Sequence, residues 1–143
     1  DFIAEVYRTI KSIRDIPFGI SPAGNIQNNL NHCFADVNLW CSKAGYVDYI
    51  MPQIYWAFGE GSLPFDTALS QWEELIKCKD VKLMIGLAAY KVGSNQYWNK
   101  GDVLSRQIEL SRSAKQYSGY AFFRYGSLFS PVCDTERQNL FKN

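Results

Sequence analysis

The chain has 143 residues, of which 47% are hydrophobic and 20% charged, a composition typical of one globular domain with a single core. Its formal net charge is +1, and neither a basic stripe nor an acidic tail indicates a nucleic-acid partner or a strongly charged protein partner. No apolar run approaches the roughly 20 residues that a membrane-spanning helix needs, so we expect no membrane span.

Apolar periodicity predicts that the chain opens with a helix. Phe2–Ile13 repeats apolar residues at the i, i+3, i+4 and i+7 spacing of a helix face. Pro17 ends this helix, and Pro17–Pro22 is predicted to be a short strand. Asn and Gln side chains crowd the next segment, Ala23–Asn31, which we predict to be a loop.

The alternation continues to the end of the chain. A helix over Phe34–Lys43 precedes a strand over Val47–Trp56, and Asp66 is expected to cap a helix that ends near Cys78. The remaining predicted elements are a strand over Val81–Tyr90, a helix over Val103–Tyr117 capped by Asp102, a strand over Gly119–Tyr125, and a terminal helix over Asp134–Phe141. This rhythm of strands with a helix between each pair indicates βα units in a parallel sheet.

Loop lengths favour one parallel architecture over another. The segments after the strands are long and polar, and those after the helices are short, as in a (β/α)8 TIM barrel whose active-site loops follow the strands. Four βα units are too few to close a barrel, which typically takes roughly 250 residues. The chain therefore reads as one domain, residues 1–143, forming half of such a barrel. An open flavodoxin-like sheet is the alternative, but the chain has no G-x-G-x-x-G or P-loop.

The segment Val47–Trp56 is the most informative about binding. Period two places Ile50 and Ile54 on one face, toward the helices, and Gln53 and Tyr55 on the other. Ligands of α/β proteins gather at the carboxyl ends of strands, where Gln53, Tyr55 and Trp56 lie. Ser21 and Tyr90 are predicted to share the inward direction of Gln53 and Tyr55.

The remaining reactive residue types are interpreted as structural. Asp48 lies at the start of its strand, the end of a barrel where residues usually stabilise the fold. Glu60 is expected to be a solvated loop acid or a helix cap. His32 is expected at the surface. The four cysteines (Cys33, Cys41, Cys78 and Cys133) lack a C-x-x-C pair, which argues against zinc and against a disulfide framework. A Cys33–Cys41 pair stays open, with unpaired buried thiols as the expectation. No cofactor and no metal are predicted.

Several segments together resemble one protein family. The most specific are Pro52-Gln-Ile-Tyr-Trp56 and Gly86-Leu-Ala-Ala-Tyr-Lys91, supported by Phe18-Gly-Ile-Ser-Pro22 and by Pro64-Phe-Asp66. In order and spacing they resemble the bacterial glycosyl hydrolase-like family 10. The resemblance implies a (β/α)8 barrel linked to the hydrolysis of glycans, particularly bacterial cell-wall polysaccharide. It also implies that the matched part is the C-terminal half of the barrel, strands 5–8.

The resemblance gives the strand-end residues a role in binding a polysaccharide substrate. The expected substrate-binding residues are Ser21, Asn25, Gln53, Tyr55, Trp56, Tyr90, Lys91, Trp98 and Arg124. Trp56 and Trp98 would stack on pyranose rings, while Gln53 and Asn25 would bond hydroxyl or N-acetyl groups. Lys91 and Arg124 would hold the carboxylate of an acidic sugar or steady an active-site acid. Each of these side chains could instead cap a loop or be a hydrogen-bonded group of the core.

The expected function is part of a glycoside hydrolase that acts on bacterial polysaccharide, such as the glycan strands of peptidoglycan. Such hydrolysis needs two carboxyl groups, about 5–5.5 Å apart for retention or 6.5–9.5 Å for inversion. No carboxylate lies at the predicted carboxyl ends of the strands, so the catalytic acids are expected upstream of Asp1, and the fragment is expected to be inactive alone. The alternatives are a non-catalytic carbohydrate-binding or structural α/β module and, more remotely, an open-sheet enzyme for a small metabolite.

Three further expectations concern partners and location. The missing N-terminal half of the same barrel is one expected partner. A second copy is another, forming a homodimer through exposed sheet edges. The family implies an extracellular or cell-surface protein, and because Asp1 begins in a helix rather than a signal peptide, any export signal is expected upstream.

Overall fold

The structure is a computed structural model that describes residues 1–142. Helices and strands alternate along the chain. In order they are α1 (Phe2–Ile13), β1 (Gly19–Ile20), α2 (Ile26–Asn31), α3 (Val37–Ser42), β2 (Tyr49–Ile50), α4 (Phe65–Leu75), β3 (Lys82–Leu87), α5 (Val103–Ser111), β4 (Tyr117–Phe122), α6 (Tyr125–Leu128) and α7 (Asp134–Leu140). Two 3₁₀ turns, Ala89–Lys91 and Pro131–Cys133, complete the described elements.

The four strands form one sheet in which every neighbouring pair is parallel. Their order is β1-β2-β3-β4, the same as their order along the chain. In a flavodoxin-like sheet all strands are parallel, but the strands after the first two are added on the other side of the first strand. A (β/α)8 barrel instead adds each strand beside the previous one. The sequential order therefore confirms parallel βα repeats of the kind that make up half a barrel.

The two faces of the sheet differ in burial as period two predicts. Ile50 and Ile54 are fully buried, whereas Gln53 and Tyr55 keep part of their surface in solvent. The same buried core includes large apolar side chains of β3 and of the helices, namely Leu83, Ile85, Leu87, Phe65, Trp72 and Leu104. Burying these side chains between helices and sheet is the main source of stability, and it leaves Gln53 and Tyr55 on the half-open side.

The strands are shorter than predicted. The expected strand Val47–Trp56 contracts to β2, followed by single bridges from Gln53 to Ala23 and to Gly86. Pro52 explains the interruption because it has no N–H to donate to a neighbouring strand. β3 similarly ends at Leu87, so that Tyr90 lies in a 3₁₀ turn and not in the strand.

The asparagine-rich segment after β1 is helical, which corrects the prediction of a loop. The Asn25 side chain caps α2 by accepting a hydrogen bond of 2.9 Å from the Asn28 amide. Asn29 is buried and bonds the Ala23 backbone in both directions, accepting from its N–H at 3.0 Å and donating to its carbonyl at 2.7 Å. The amide side chains therefore fold this segment back over the end of β1.

Of the two predicted helix caps, Asp66 is wrong in position, whereas Asp102 is at the predicted position but lacks the capping hydrogen bond. α4 begins at Phe65, so Asp66 lies in its first turn and not at the N-cap. Asp102 occupies the N-cap of α5 but makes no side-chain cap bond. The buried Glu136 of α7 replaces it by accepting from the Val103 and Leu104 amides at 2.8 and 3.1 Å. Burial raises the pKa of this carboxyl, although the two amide hydrogen bonds oppose the shift.

Asp48 joins α1 to the amino ends of β1 and β2. One carboxylate oxygen accepts from the Phe18 amide at 2.7 Å and from the Lys11 amine at 2.9 Å, and the other accepts from the Tyr7 hydroxyl at 3.1 Å. Burial raises the pKa of Asp48, but these hydrogen bonds outweigh it and leave the pKa below its usual value. The structural role predicted for Asp48 is confirmed.

Cysteine and histidine placement agrees with expectation in most respects. All four cysteines are unpaired, and Cys41 and Cys133 are buried. Burial raises the pKa of the Cys41 thiol to about 12, which keeps it protonated. Cys33 is exposed and Cys78 is half-buried, so the expectation of buried thiols is wrong for these two, while His32 lies at the surface as predicted.

Candidate functional site

A cleft of about 430 Å³ opens where the segments after β1, β2 and β3 meet. We call it the first cleft. Its lining comprises Ala23, Gly24, Asn25, Asn28, Gln53, Tyr55, Trp56 and Lys91. Five of the nine predicted substrate-binding residues are in this lining, which brings residues distant in sequence to one place.

The wall of the first cleft depends on close packing at Gly24. A Cβ atom on Gly24 would run into the Gln53 carbonyl oxygen and lie 2.7 Å from the Trp56 ring. The Gly24 carbonyl accepts a 2.7 Å hydrogen bond from the buried indole of Trp72 on α4. Only glycine permits this approach, so the segment after β1 lies directly against the end of β2.

Hydrogen bonds hold the polar side chains of the first cleft in place. The Gln53 amide donates to the Ser21 carbonyl at 3.1 Å. Ser21 contributes to the first cleft through this backbone carbonyl, because Ser21 is not among the lining residues. Lys91 donates to the Tyr55 carbonyl at 2.7 Å. The buried Gln107 of α5 donates to the Trp56 carbonyl at 2.9 Å, a role that the sequence did not indicate.

A second cleft of about 540 Å³ lies at the carboxyl ends of β3 and β4. Its lining comprises Ala89, Tyr90, Arg124, Gly126, Ser127, Ser130 and Val132. The predicted residues Tyr90 and Arg124 are therefore in a cleft other than that of Gln53 and Trp56. The residues predicted at the carboxyl ends of the strands are therefore divided between two clefts.

Three aromatic rings join the two clefts. Tyr55 of the first cleft meets Tyr90 of the second edge-on, with centroids 5.8 Å apart, and stacks with Phe123 at 6.1 Å. We call Tyr55, Tyr90 and Phe123 the aromatic cluster. Tyr90 and Phe123 are 48% and 53% exposed, so ring surface faces solvent between the clefts. Phe123 was not predicted as a site residue, although its position directly after β4 could have indicated it.

Trp98 does not present a ring to a ligand, which corrects its predicted role as a stacking surface. It is 0% exposed, and its indole donates to Glu60 at 2.8 Å. Glu60 also accepts from the Ala57 amide at 2.8 Å and from Asn95 at 3.3 Å. Burial raises the pKa of Glu60, but these hydrogen bonds and the nearby Lys91 charge leave it lowered. The Glu60 carboxylate therefore links the loops after β2 and β3 through hydrogen bonds.

Comparison with known proteins identifies the family. The model of Glycosyl hydrolase-like 10 matches residues 1–102, which is more than half of the chain. The chain belongs to this family. The family assignment therefore confirms the resemblance seen in Pro52–Trp56 and Gly86–Lys91.

Curated relatives extend the similarity beyond the family model. The chain is 34% identical to "Glycosyl hydrolase DigH" of Escherichia coli strain K12 over 152 residues, covering 90% of this chain and 34% of that protein. It is 32% identical to "Glycosyl hydrolase YngK" of Bacillus subtilis strain 168 over 139 residues, covering 85% of this chain and 27% of that protein. The chain thus spans about a third of the length of these relatives and is a glycosyl hydrolase-like protein.

The linings of the two clefts supply aromatic, amide, hydroxyl and cationic groups. Neither lining contains an Asp or a Glu, whereas glycoside hydrolysis ordinarily requires a pair of carboxyl groups. Among residues 1–142 no group of three His, Cys, Asp or Glu side chains is arranged to hold a metal ion. Within the same residues no helix is both long and apolar enough to cross a membrane.

Proposed function

We propose that this chain is the substrate-binding part of a glycoside hydrolase that acts on bacterial polysaccharide, with peptidoglycan glycan strands as the first substrate to test. The observation that carries the proposal is the pair of clefts without carboxylates, joined by the aromatic cluster at the carboxyl ends of the strands. The family assignment supplies the reaction class. In this proposal the chain orients the glycan and does not cleave it alone.

The first cleft offers the two kinds of contact that sugars need. Trp56 and Tyr55 present aromatic surface on which the C–H face of a pyranose can pack. Gln53 provides an amide oxygen that is not used in its bond to Ser21, and Asn28 adds a second amide side chain. Amides can donate and accept at once, which suits hydroxyl and N-acetyl groups. Apolar surface with a few oriented polar groups is the usual composition of a small-ligand site.

The acids of the reaction are proposed to lie upstream of Asp1 in the parent protein, in the half of the barrel that would complete the sheet. The second candidate function is a carbohydrate-binding module without catalysis, and the lack of carboxylates in both linings favours it. The two candidates differ in one measurable way. When the upstream half is added, a hydrolase part should release new reducing ends from the glycan, whereas a binding module should release none.

Titration calorimetry with soluble peptidoglycan glycan strands tests the site. We expect the chain to bind them, and Trp56→Ala and Gln53→Ala each to weaken binding about three- to tenfold through the loss of one stacked ring or one hydrogen bond. Phe34→Ala is the control, because Phe34 is 90% exposed before α3 and lines neither cleft. Equal affinity for all four proteins would contradict the proposed site.

We also propose an extracellular or cell-surface location and association through the sheet edges. β1 and β4 end the sheet and each has one neighbouring strand among the described residues. Unpaired edge groups favour pairing with a further strand, either from the upstream half or from a second copy. Analytical sedimentation of the chain at high concentration tests the second copy, and a single monomeric species would exclude it.

A further inference from the structure

The second cleft contains a cation that is free to bind an anion. Arg124 lines this cleft, and no acidic residue does. Among residues 1–142 the ion pairs are Lys11 with Asp15 and Asp48, Arg106 with Asp102, and Arg137 with Asp134. Arg124 takes part in none of them, and its guanidinium donates no hydrogen bond within the described residues.

The other cation at the clefts is already engaged. The Lys91 amine donates to the Tyr55 carbonyl at 2.7 Å and lies 5.9 Å from the centre of the Trp98 ring. Its charge also acts on Glu60, the acid that ties the two loops together. Lys91 therefore has a structural task in the first cleft, whereas Arg124, the other cation predicted to hold a sugar carboxylate, uses none of its donors within the described residues.

The chemistry of Arg124 matches a carboxylate better than a neutral hydroxyl. A guanidinium presents paired N–H donors in one plane, and a carboxylate accepts them as two parallel hydrogen bonds. Ser127 and Ser130 add hydroxyl groups to the same lining. Tyr90 belongs both to this lining and to the aromatic cluster, so a ring stacked on the cluster lies beside Arg124.

We infer that the second cleft is a subsite for an acidic sugar, in which Arg124 binds the carboxylate of a residue stacked on the aromatic cluster. The inference rests on the proposed function and adds to it the class of glycan selected, namely one that carries carboxylates along its length. The carboxylate can belong to the ring of a uronic acid or to the lactyl ether of muramic acid. Both present the same group to Arg124.

Calorimetry with matched pairs of glycans separates these sources. One pair is peptide-free peptidoglycan strands, which carry muramic acid, with and without chemical reduction of the carboxyl groups. The other pair is a hyaluronan hexasaccharide, which carries glucuronic acid, and its carboxyl-reduced form. We expect the chain to prefer the acidic member of at least one pair by about tenfold or more, the effect of a hydrogen bond to a charged group. The pair that shows the preference identifies the source.

Variants test whether Arg124 produces the preference. Arg124→Gln should bring the ratio of acidic to reduced affinity close to one, and Arg124→Lys should retain part of it, because the charge remains while the planar fork is lost. Arg14→Gln removes the same charge from the exposed segment before β1, at the opposite end of the strands, and should keep the full ratio.

The outcomes distinguish the inference from the function beneath it. If the chain binds glycans but shows no acidic preference in either pair, the acidic subsite is wrong and the proposed function stands. If Arg124→Gln lowers both affinities equally and leaves the ratio unchanged, Arg124 is structural and the inference is also wrong. If none of the glycans binds, the proposed function fails and the subsite fails with it.

Discussion

Replacing Asp48 with Asn should destabilise the chain by about 2 kcal/mol at neutral pH. The Asp48 carboxylate accepts hydrogen bonds from the Phe18 amide and the Tyr7 hydroxyl, in addition to its ion pair with Lys11. A hydrogen bond to a charged group contributes about 1.5–3 kcal/mol, and the partly exposed Lys11–Asp48 ion pair adds less. The Asn side chain keeps one acceptor oxygen and loses the charge, so roughly the value of one such hydrogen bond is lost.

The cost should depend on pH in a defined direction. Because the pKa of Asp48 in the folded chain is lower than its usual value of about 3.9, the stabilisation is fully present above pH 4. It is lost as the pH falls through the lowered pKa, since the folded state must then accept a proton on a carboxylate that is accepting hydrogen bonds. The native chain and Asp48→Asn should therefore approach equal stability in strong acid.

Urea unfolding followed by tryptophan fluorescence at pH 7 and at pH 2–3 measures both effects. In a separate thermal melt at pH 7, the same loss of about 2 kcal/mol should lower the midpoint by roughly 4–8 °C for a chain of this size. Asp15→Asn is the control, because Asp15 also pairs with Lys11 but its side chain is 97% exposed, and it should change nothing measurable. The reasoning is refuted if the two variants are equally stable, or if Asp48→Asn costs as much in acid as at pH 7.

Two further substitutions test buried hydrogen bonds that connect distant segments. Glu136→Gln leaves one acceptor oxygen for the Val103 and Leu104 amides and should lower the free energy of unfolding by about 1–3 kcal/mol, with an unchanged urea midpoint as the contrary result. Trp72→Phe removes the donor to the Gly24 carbonyl and should lower stability by a similar amount and weaken glycan binding in the first cleft. Calorimetry at a temperature where the native chain and Trp72→Phe both stay folded measures the change in glycan affinity. An unchanged affinity would show that the Trp72 hydrogen bond does not affect binding in the first cleft.

Local pattern was enough to predict the order of helices and strands, but not their ends. The alternation of apolar residues around Ile50 and Ile54 correctly assigned the buried face of the sheet. The same pattern overestimated the length of that strand, because Pro52 cannot donate the hydrogen bond that would continue it. The segment that contains Asn25 was predicted to be a loop from its composition, although the same composition also favours helix caps.

The candidate site was predicted as a set of residues and not as an arrangement. Gln53, Tyr55 and Trp56 could be placed together because one strand carries all three to its carboxyl end. The burial of Trp98 could not be predicted, since it depends on Glu60, which is 38 residues away in sequence. Nothing in the local sequence indicates that the chain folds over that tryptophan.

The close approach at Gly24 restricts how the first cleft can change. Any side chain at this position would push the segment after β1, which Trp72 bonds at the Gly24 carbonyl, away from Gln53 and Trp56, so the cleft cannot be narrowed there without displacing Trp56. A change of ligand preference is therefore more accessible through Asn28, which also lines the first cleft. A designer who wants to retune this cleft should leave the glycine alone and vary the amide beside it.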